Sequence, residues 1–393
     1  MTCSQNPSSL FSKIGYFLAF MALACCATSA SAQTDDDLMS KAEWQQIDTS
    51  VESALAWLAS TQQSNGSFPT LAQGQPGVTS LCTMAFVAHG HMPGEGPYGK
   101  QLQRALDFII KCQKRNGLIA FVGPNGAELS RNVSHPIGST ASYNHALSSL
   151  LLSEVFSMGG GDPEENQNAI EKAVDATLTI QKWSKRDQAD HGGWRYVNRF
   201  SDDGQLDSDL SVTGWHLMFL RSAKNAGFEV PEQVISDAVK YVQRCYHPEY
   251  KTFTVFARRL NRRSRGMAGA GILAMAHAGL HDSKEATAAG QWLLSEGFAT
   301  YNESRKYAPT GWVDDRYHYS AFCASQAMYQ LGGQMWREFY PPTVRVILKH
   351  QNKEGSWDED SHFADAKFGN SYTTALMAMT LGAPNQLLPI FQR

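Results

Sequence analysis

Hydrophobic and polar positions along the chain define two kinds of segment. The first kind is amphipathic: Ile170, Ala173, Val174, Thr177 and Leu178 follow the i, i+3, i+4, i+7, i+8 spacing of one helix face, while charged residues lie on the opposite face. This pattern is typical of a helix that packs one side on a core and turns the other side to solvent.

The second kind of segment contains no Asp, Glu, Lys or Arg and is rich in Ala, Gly, Ser and Met. Six segments share this property: 79–91, 143–153, 210–220, 266–280, 317–336 and 368–388. A helix that is apolar on all sides belongs in the interior. Six amphipathic helices alternating with six uncharged ones predict an all-α fold, an alpha-alpha toroid (α/α barrel) of six helical hairpins with an outer and an inner ring.

The same alternation appears as an internal repeat. The stretch A-L-A-W-L-A-S-T-Q-Q-S-N-G-S-F at 54–68 returns as A-L-D-F-I-I-K-C-Q-K-R-N-G-L-I at 105–119 and as V-R-V-I-L-K-H-Q-N-K-E-G-S-W at 344–357. Three looser copies complete the set. Aligned at the end of the first helix of each unit, the six copies have these anchor residues: Gln62, Gln113, Gln181, Cys245, Glu296 and Gln351.

The turn that follows the first helix resembles a known family signature. Q-S-N-G-S-F from Gln63 and Q-N-K-E-G-S-W from Gln351 are similar to the QW-type repeat of the terpenoid cyclase and protein prenyltransferase superfamily, the squalene cyclase-like or prenyltransferase/squalene oxidase repeat proteins. The likeness covers residues 51–390 and implies the toroid fold, whereas the activity stays open because one fold hosts many functions. It also implies that these glutamines bond backbone groups at a helix end, and that Phe68 and Trp357 pack on the next unit and contribute to stability.

The N-terminus has the pattern of a secretory signal. Lys13 precedes an apolar run, and Ala30-Ser31-Ala32 supplies a small-x-small cleavage site. We therefore expect a cleaved signal peptide at 1–32, a lead-in at 33–50 and one toroid domain at 51–393. The mature protein is expected to be exported, either to a periplasm or outside the cell. Lipoprotein anchoring through Cys25 is disfavoured because Ala22 stands where a large aliphatic residue is needed.

Composition narrows the classes of partner and cofactor. A formal net charge of −3 argues against nucleic-acid binding driven by overall charge. No later segment is apolar enough to span a membrane, so the mature chain is expected to have no transmembrane segment, while contact with a membrane surface stays open. The four mature cysteines favour buried free thiols because they show no C-x-x-C spacing: Cys82, Cys112, Cys245 and Cys323.

The entries to the inner helices are the predicted location of a site, because helix N-termini point partial positive charge towards one end of the barrel. The segment D-S-D-L-S-V is similar, at Asp207, Asp209 and Ser211, to the D-x-D-D-T-A box of terpenoid cyclases. That resemblance implies a carboxylic acid that protonates an alkene, although Leu210 replaces the third aspartate of the box. Alternatively, Asp209 or Ser211 caps a helix and Asp207 lies near its positive end.

Further candidates come from arginines and aromatic residues. The run A-R-R-L-N-R-R-S-R-G contains Arg262, Arg263 and Arg265, which suit an anion clamp or, alternatively, a surface patch paired with the acidic stretch 202–209. Aromatic ring faces can stabilise cations, stack on sugars or simply fill a core. The other predicted ligand-binding residues are Tyr143, Trp215, Asp314, Asp315, His318 and Tyr319.

The sequence predicts an exported squalene or terpenoid cyclase-like protein that binds or cyclises a polyisoprenoid lipid, with Asp207 and Asp209 as acidic groups at the barrel mouth. The expected partner is an apolar or lipid-like small molecule. One alternative is a non-catalytic secreted toroid that binds a partner or a glycan. Another is a polysaccharide lyase on a similar barrel, with Arg265 as base and calcium held by Asp314 and Asp315.

A zinc prenyltransferase is disfavoured by the spacing of the candidate ligands. Asp315, His318 and Cys323 do not match the D-x-C spacing of that family, and Tyr372 falls where its histidine would be. His318 on its own is more simply interpreted as a hydrogen-bonded core histidine. No cofactor and no metal are therefore predicted.

Overall fold

Helices of two kinds alternate along the chain. The computed structural model describes residues 38–198, 206–258, 262–305 and 315–393. The outer helices of the described chain are α1 (Lys41–Thr61), α3 (Gly99–Lys111), α5 (Pro163–Gln181), α7 (Glu232–Arg244), α9 (Lys284–Glu296) and α11 (Gly333–Lys349). The inner helices are α2 (Gly77–Ala88), α4 (His135–Ser157), α6 (Leu210–Asn225), α8 (Arg265–His277), α10 (Tyr317–Leu331) and α13 (Gly369–Leu381).

Shorter elements connect these helices. A single turn, α12 (Phe363–Ala366), precedes α13, and the antiparallel pair β1 (Tyr246–His247) and β2 (Thr252–Phe253) lies between α7 and α8. Three 3-10 turns complete the described elements: Ala72–Gly74, Gln188–Asp190 and Pro389–Phe391.

The inner helices form a closed ring. Each inner helix contacts the next, in the order α2, α4, α6, α8, α10 and α13, and α13 contacts α2 again. The outer helices pack around this ring, and α1 packs against α13 as well as α2. The predicted alpha-alpha toroid is therefore confirmed, and Lys41–Arg393 form one unit of the structure.

Burial explains why charge marks the two rings. Every residue of α2 is buried, as expected for a helix surrounded by others. On α3, by contrast, only one face is buried, and the charged face is left to solvent. The buried residues of α3 recur at helical spacing: Gly99, Leu102, Ala105, Leu106, Phe108 and Ile109. The uncharged segments of the sequence thus predicted the inner ring because solvent does not reach those helices.

The repeat glutamine links neighbouring units. The Gln62 Nε2 donates to the carbonyl of Gly66 in its own turn (2.9 Å) and to the carbonyl of Gln101 on the next outer helix (2.8 Å). The repeat anchor Gln62 is therefore the linking glutamine of the first unit, whereas Gln63, from which the family signature was read, accepts a hydrogen bond from the Ser67 hydroxyl.

The same pair of hydrogen bonds recurs in the second, third and sixth units. The donors Gln113, Gln181 and Gln351 bond their own turns and the carbonyls of Ala169, Val234 and Ser50. The bond from Gln351 to Ser50 (2.9 Å) joins the last unit to the first helix. Cys245 and Glu296 lack the amide that this link requires.

The aromatic residue of the repeat is bonded within its own unit rather than to the next one. The indole of Trp357 donates to the carbonyl of Ile347 on α11 (3.0 Å), and its backbone N–H donates to Thr374 on α13 (3.1 Å). Phe68 and Trp357 are fully buried. Their predicted contribution to stability agrees with this burial.

One end of the ring is covered by the C-terminal plug, residues 382–393. The Leu387 N–H donates to the carbonyl of Ala88 at the end of α2, and Gln330 near the end of α10 donates to the carbonyl of Phe391. The Ile390 N–H donates to the carboxylate of Glu154 near the end of α4. The inner helices therefore end at the plug, and the opposite end, where they begin, is called the mouth.

The described ranges contain no helix that combines the length and the apolar character needed to cross a membrane.

Candidate functional site

A partly open pocket of about 310 Å³ lies at the mouth, bordered by α2, α4, α6, α10, α12 and α13. Its volume is at the lower end of the range for small-molecule sites. The lining residues are Gly74, Gly77, Val78, Leu81, His135, Pro136, Ser139, Thr140, Tyr143, Asn144, Leu147, Tyr196, Ser211, Trp215, Arg316, Tyr319, Ala364, Asp365, Lys367, Phe368, Tyr372 and Leu376.

The floor of the pocket is apolar. Because the inner helices begin at the mouth and end at the plug, the position of a residue along its helix gives its depth. Leu81, Leu147, Trp215 and Leu376 lie at least one helical turn beyond the starts of α2, α4, α6 and α13. Trp215 is fixed by stacking on Phe322, with ring centroids 5.9 Å apart. An apolar group therefore fits the deep part of the pocket.

The mouth of the pocket is polar. His135 begins α4, Arg316 immediately precedes α10, and Lys367 lies between α12 and α13. The His135 and Tyr196 rings meet edge to face at 5.2 Å. Charged and hydrogen-bonding groups thus lie where a ligand would enter.

Three hydroxyl groups of the pocket lining are connected by hydrogen bonds. The Tyr143 hydroxyl donates to Ser211 Oγ (2.9 Å), which in turn is hydrogen-bonded to the Tyr319 hydroxyl (3.1 Å), so the chain connects α4, α6 and α10. Burial raises the pKa of Tyr143 and of Tyr319 well above the ordinary value. Both tyrosines stay protonated at neutral pH and keep their capacity to donate hydrogen bonds.

One carboxylate lines this pocket. Asp365 is 2% exposed and accepts hydrogen bonds from Arg316 Nη1 (2.8 Å) and from the Tyr372 hydroxyl (3.0 Å). Each of its two oxygens therefore accepts a hydrogen bond, one of them from a charged donor. The sequence analysis missed Asp365; its position just before the last inner helix, between His362 and Lys367, was the available signal.

The predicted acidic pair lies outside this lining. Asp209 is the N-cap of α6, and its Oδ1 accepts the Val212 N–H at 2.8 Å. Asp207 accepts two guanidinium bonds from Arg186, both at 3.0 Å, and the Arg186 N–H at 2.9 Å. Burial by itself would raise the pKa of Asp207, but these hydrogen bonds and the Arg186 charge outweigh it and lower the pKa. The helix-capping interpretation of Asp209 agrees with this geometry.

Arg265 and Asp315 form an internal ion pair. Both side chains are fully buried, and the Arg265 Nε donates to Asp315 Oδ2 at 2.9 Å. The guanidinium also donates to the carbonyl of Gly297 (2.7 Å) and lies 4.1 Å from the Phe298 ring centroid. These contacts hold the start of α8 against α10, and neither residue lines the pocket.

His318 is a hydrogen-bonded core histidine. Its Nδ1 lies 2.8 Å from Asp360 Oδ2, and its Nε2 lies 3.0 Å from the Tyr301 hydroxyl. The backbone N–H of His318 also donates to Asp360, so the carboxylate holds the first turn of α10. His318 does not line the pocket.

The remaining arginine candidates are associated with aromatic rings away from the pocket. The guanidinium of Arg262 lies 5.5 Å from the Phe256 ring centroid, and that of Arg263 lies 4.1 Å from the Tyr250 ring centroid. Asp314 lies outside the described residues. Of the ligand-binding residues predicted from sequence, the structure thus brings three together in the pocket: Tyr143, Trp215 and Tyr319.

The described ranges contain no group of three or more His, Cys, Asp or Glu side chains arranged to hold a metal ion. Four cysteines of the described ranges are buried and free, as the spacing predicted: Cys82, Cys112, Cys245 and Cys323.

No known family model and no curated protein matches the chain. Solved structures do match. A cellobiose 2-epimerase from Bacillus thermoamylovorans has a TM-score of 0.61 at 14% identity, covering 87% of this chain and 99% of its own. A type II terpene cyclase from Scytonema, in complex with its product merosterolic acid A, has a TM-score of 0.55 at 14% identity, covering 87% and 98%. A wild-type glycosidase has a TM-score of 0.56 at 11% identity, with the same coverage.

The chain has the alpha-alpha toroid fold of these structures. The structural similarity establishes this fold. Because the identities are 14% or lower, the activity has to be argued from the pocket of this protein.

Proposed function

We propose that the protein is an exported, terpenoid cyclase-like toroid that binds an amphipathic lipid of the polyisoprenoid type in the mouth pocket. The observation that carries the proposal is the change of polarity with depth. Leu81, Leu147 and Leu376 lie deep, whereas Arg316 and Lys367 lie at the entrance. Transfer of an apolar chain from water to the floor of the pocket lowers the free energy, while a polar head group keeps its hydrogen bonds at the entrance.

Binding is better supported than cyclisation started by proton donation. A proton donor to an alkene needs a carboxylic acid that keeps its proton until the substrate is bound. Asp365 accepts bonds from Arg316 and Tyr372, and Asp207 accepts them from Arg186. The Arg186 contacts lower the pKa of Asp207, which favours its charged form, and Asp365 is already engaged in an ion pair with Arg316.

Export is part of the proposal and rests on the signal-like residues 1–32. Its test is N-terminal sequencing of the protein recovered from the native host. We expect a mature chain that begins at Gln33 and is absent from the cytosol; an intact N-terminus in the cytosol would contradict export.

A carbohydrate is the second candidate ligand. The aromatic rings of Tyr196, Phe368 and Tyr372 lie at the entrance, where a sugar could stack, and Asp365 with Arg316 could bond its hydroxyl groups. The epimerase and glycosidase among the structural neighbours are consistent with this candidate. The leucine floor is less suited to sugar hydroxyls, and for this reason the lipid is preferred.

Titration of the mature protein with geranylgeraniol and with cellobiose separates the two candidates. We expect saturable binding of geranylgeraniol by isothermal calorimetry, and none of cellobiose at millimolar concentration. The reverse result would replace the lipid by a sugar, and binding of neither would leave the pocket without the proposed function.

A matched pair of variants locates the binding in the pocket. Ser139 lines the pocket near the start of α4, whereas Ser157 is the exposed last residue of the same helix. Ser139→Trp is expected to block entry and weaken geranylgeraniol binding at least tenfold. Ser157→Trp places the same bulk at the opposite end of the helix and is expected to bind like the wild type.

A further inference from the structure

The charges at the pocket mouth do not balance. The lining contains two permanent cations, Arg316 and Lys367, and a single carboxylate, Asp365. Arg316 and Asp365 form an ion pair at 2.8 Å. Between these three side chains, one positive charge remains, on Lys367.

Lys367 has no acidic partner within ion-pair distance in the described chain. Its ammonium group lies 5.2 Å from the Phe368 ring centroid, a contact that holds the side chain beside the pocket. The lysine is exposed on the short connection between α12 and α13, so its three N–H donors can turn towards a ligand.

Arg316 also has donors to spare. Its Nη1 donates to Asp365, and its side chain is 41% exposed where it lines the pocket. A guanidinium presents five N–H donors in one plane, so an anion can bind beside the carboxylate rather than displace it. Lys367 and Arg316 thus lie on the same entrance, above an apolar floor.

We propose that the head group of the ligand is an anion with a single negative charge, bound at the mouth by Lys367 and Arg316 while the apolar chain lies on the floor. This proposal rests on the proposed lipid-binding function and specifies the class of ligand: a lipid carboxylate or a monoanionic phosphate ester. A single negative charge cancels the residual positive charge of the mouth, whereas a neutral alcohol leaves it uncompensated.

The favoured source of the negative charge is a carboxylate. A phosphate monoester carries close to two negative charges above its second pKa, which is about 6. At pH 8 it would convert the mouth from one excess positive charge to one excess negative charge. A carboxylate keeps a single charge at both pH 6 and pH 8 and accepts bidentate bonds from an arginine.

Three ligands that share the farnesyl chain test the proposal: farnesol, farnesoic acid and farnesyl monophosphate. Each is titrated at pH 8 into the wild type and into three variants: Lys367→Met, Lys367→Arg and Lys284→Met. Lys284 is an exposed lysine at the start of α9 and does not line the pocket. We expect the wild type to bind farnesoic acid at least about tenfold more tightly than farnesol, because hydrogen bonds to charged groups are the stronger class.

The variants assign the preference to Lys367. In Lys367→Met the ratio of acid to alcohol affinity is expected to fall to between one and three. Lys367→Arg is expected to restore most of the ratio, and Lys284→Met is expected to keep it. The preference is also expected to weaken as salt rises from 0.05 to 0.5 M, since screening acts on exposed charges.

The outcomes separate this proposal from the one on which it rests. Equal affinity of farnesol and farnesoic acid in the wild type, or a ratio unaffected by Lys367→Met, overturns the anionic head group and leaves lipid binding in place. Tighter binding of farnesyl monophosphate, which is close to dianionic at pH 8, than of farnesoic acid overturns the single charge of the head group and replaces the carboxylate by a phosphate. If none of the three ligands binds, the lipid-binding function itself is wrong.

Discussion

The two ends of the inner ring differ in packing and polarity. At the plug, Ile390 and Phe391 are buried, and the Phe391 ring meets Phe322 edge to face at 5.8 Å. At the mouth, the helices begin around a pocket of about 310 Å³. The same six helices therefore present a packed apolar end and an open polar end.

This difference shows that a polar residue at a helix entry can have either of two roles. Some acids at the mouth hold the backbone: Asp209 caps α6 and Asp360 bonds the first turn of α10. Asp365 instead borders the pocket. The position along the sequence is shared by both groups, and the direction of the side chain decides the role.

The largest expected effect is at the plug. Phe391→Ala removes a fully buried ring from the plug, and large-to-small changes of this kind cost about 3–5 kcal/mol in the free energy of unfolding. The matched control is Phe363→Ala at the mouth, where the ring is 77% exposed and the expected change is within about 0.5 kcal/mol. Urea denaturation measures both. Equal losses would remove the distinction between a packed end and an open end.

The second prediction concerns two fully buried histidines of the inner ring, His145 on α4 and His216 on α6. Burial and the charge of His216 lower the pKa of His145 to about 3, and burial lowers that of His216 to about 4, from an ordinary 6.5. The folded chain thus binds these protons more weakly than the unfolded chain does. Stability from the pair is present above pH 6.5 and is lost as the pH falls towards 4, by about 1 kcal/mol per histidine between pH 7 and 5.5.

A variant isolates this effect from that of other groups. Burial raises the pKa of Glu154, which acts in the opposite direction because its contribution to stability is lost as the pH rises. His216→Phe keeps a ring stacked on Trp194 and removes one buried titratable group, so the loss between pH 7 and 5.5 should shrink by about 1 kcal/mol. The exposed His350, changed to Phe, should leave the loss as in the wild type. An unchanged loss in His216→Phe would contradict the lowered pKa of His216.

The fold was predictable because its signals are local and repeated. The absence of charge in segments such as 210–220 and 317–336 follows directly from burial on all sides, and the matching inner helices are α6 and α10. The recurrence of the glutamine turn made the ring visible before any contact was known. Register within the turn was less certain, since Gln62 and Gln63 are adjacent and either could have been aligned.

The site was predictable only in part because it depends on side-chain direction. Tyr143, Trp215 and Tyr319 were found from their position at helix entries, and they do line the pocket. Asp207 was chosen by the same criterion, yet it is bonded to Arg186, which lies 21 positions earlier in the chain. A long-range ion pair of this kind leaves no periodic trace in a sequence, and Asp365 was overlooked for the same reason.

The third prediction tests how the mouth end is held. Gly355 in the repeat turn has φ of 103°, and a Cβ there would lie 2.3 Å from the carbonyl oxygen of Ser53 on α1. Gly355→Ala should therefore cost about 2 kcal/mol or more in the free energy of unfolding, from backbone strain and from the contact. Gly94→Ala is the control, since Gly94 also has positive φ, at 83°, but open space around it. Similar losses of stability in the two variants would show that the turn at Gly355 does not pack closely against α1.

The smallest expected effect distinguishes two of the acids at the mouth, Asp209 and Asp365. Asp209→Ala removes the N-cap of α6 and should cost about 1 kcal/mol of stability, whereas Asp209→Asn keeps a side-chain acceptor and should lose less than half of that. Neither change should alter the affinity for geranylgeraniol, because Asp209 does not line the pocket. Asp365→Asn should alter that affinity, since it removes the negative charge beside Arg316. Thermal melting and ligand titration of the three variants give both readings, and a loss of binding in Asp209→Asn with stability intact would return Asp209 to the functional site.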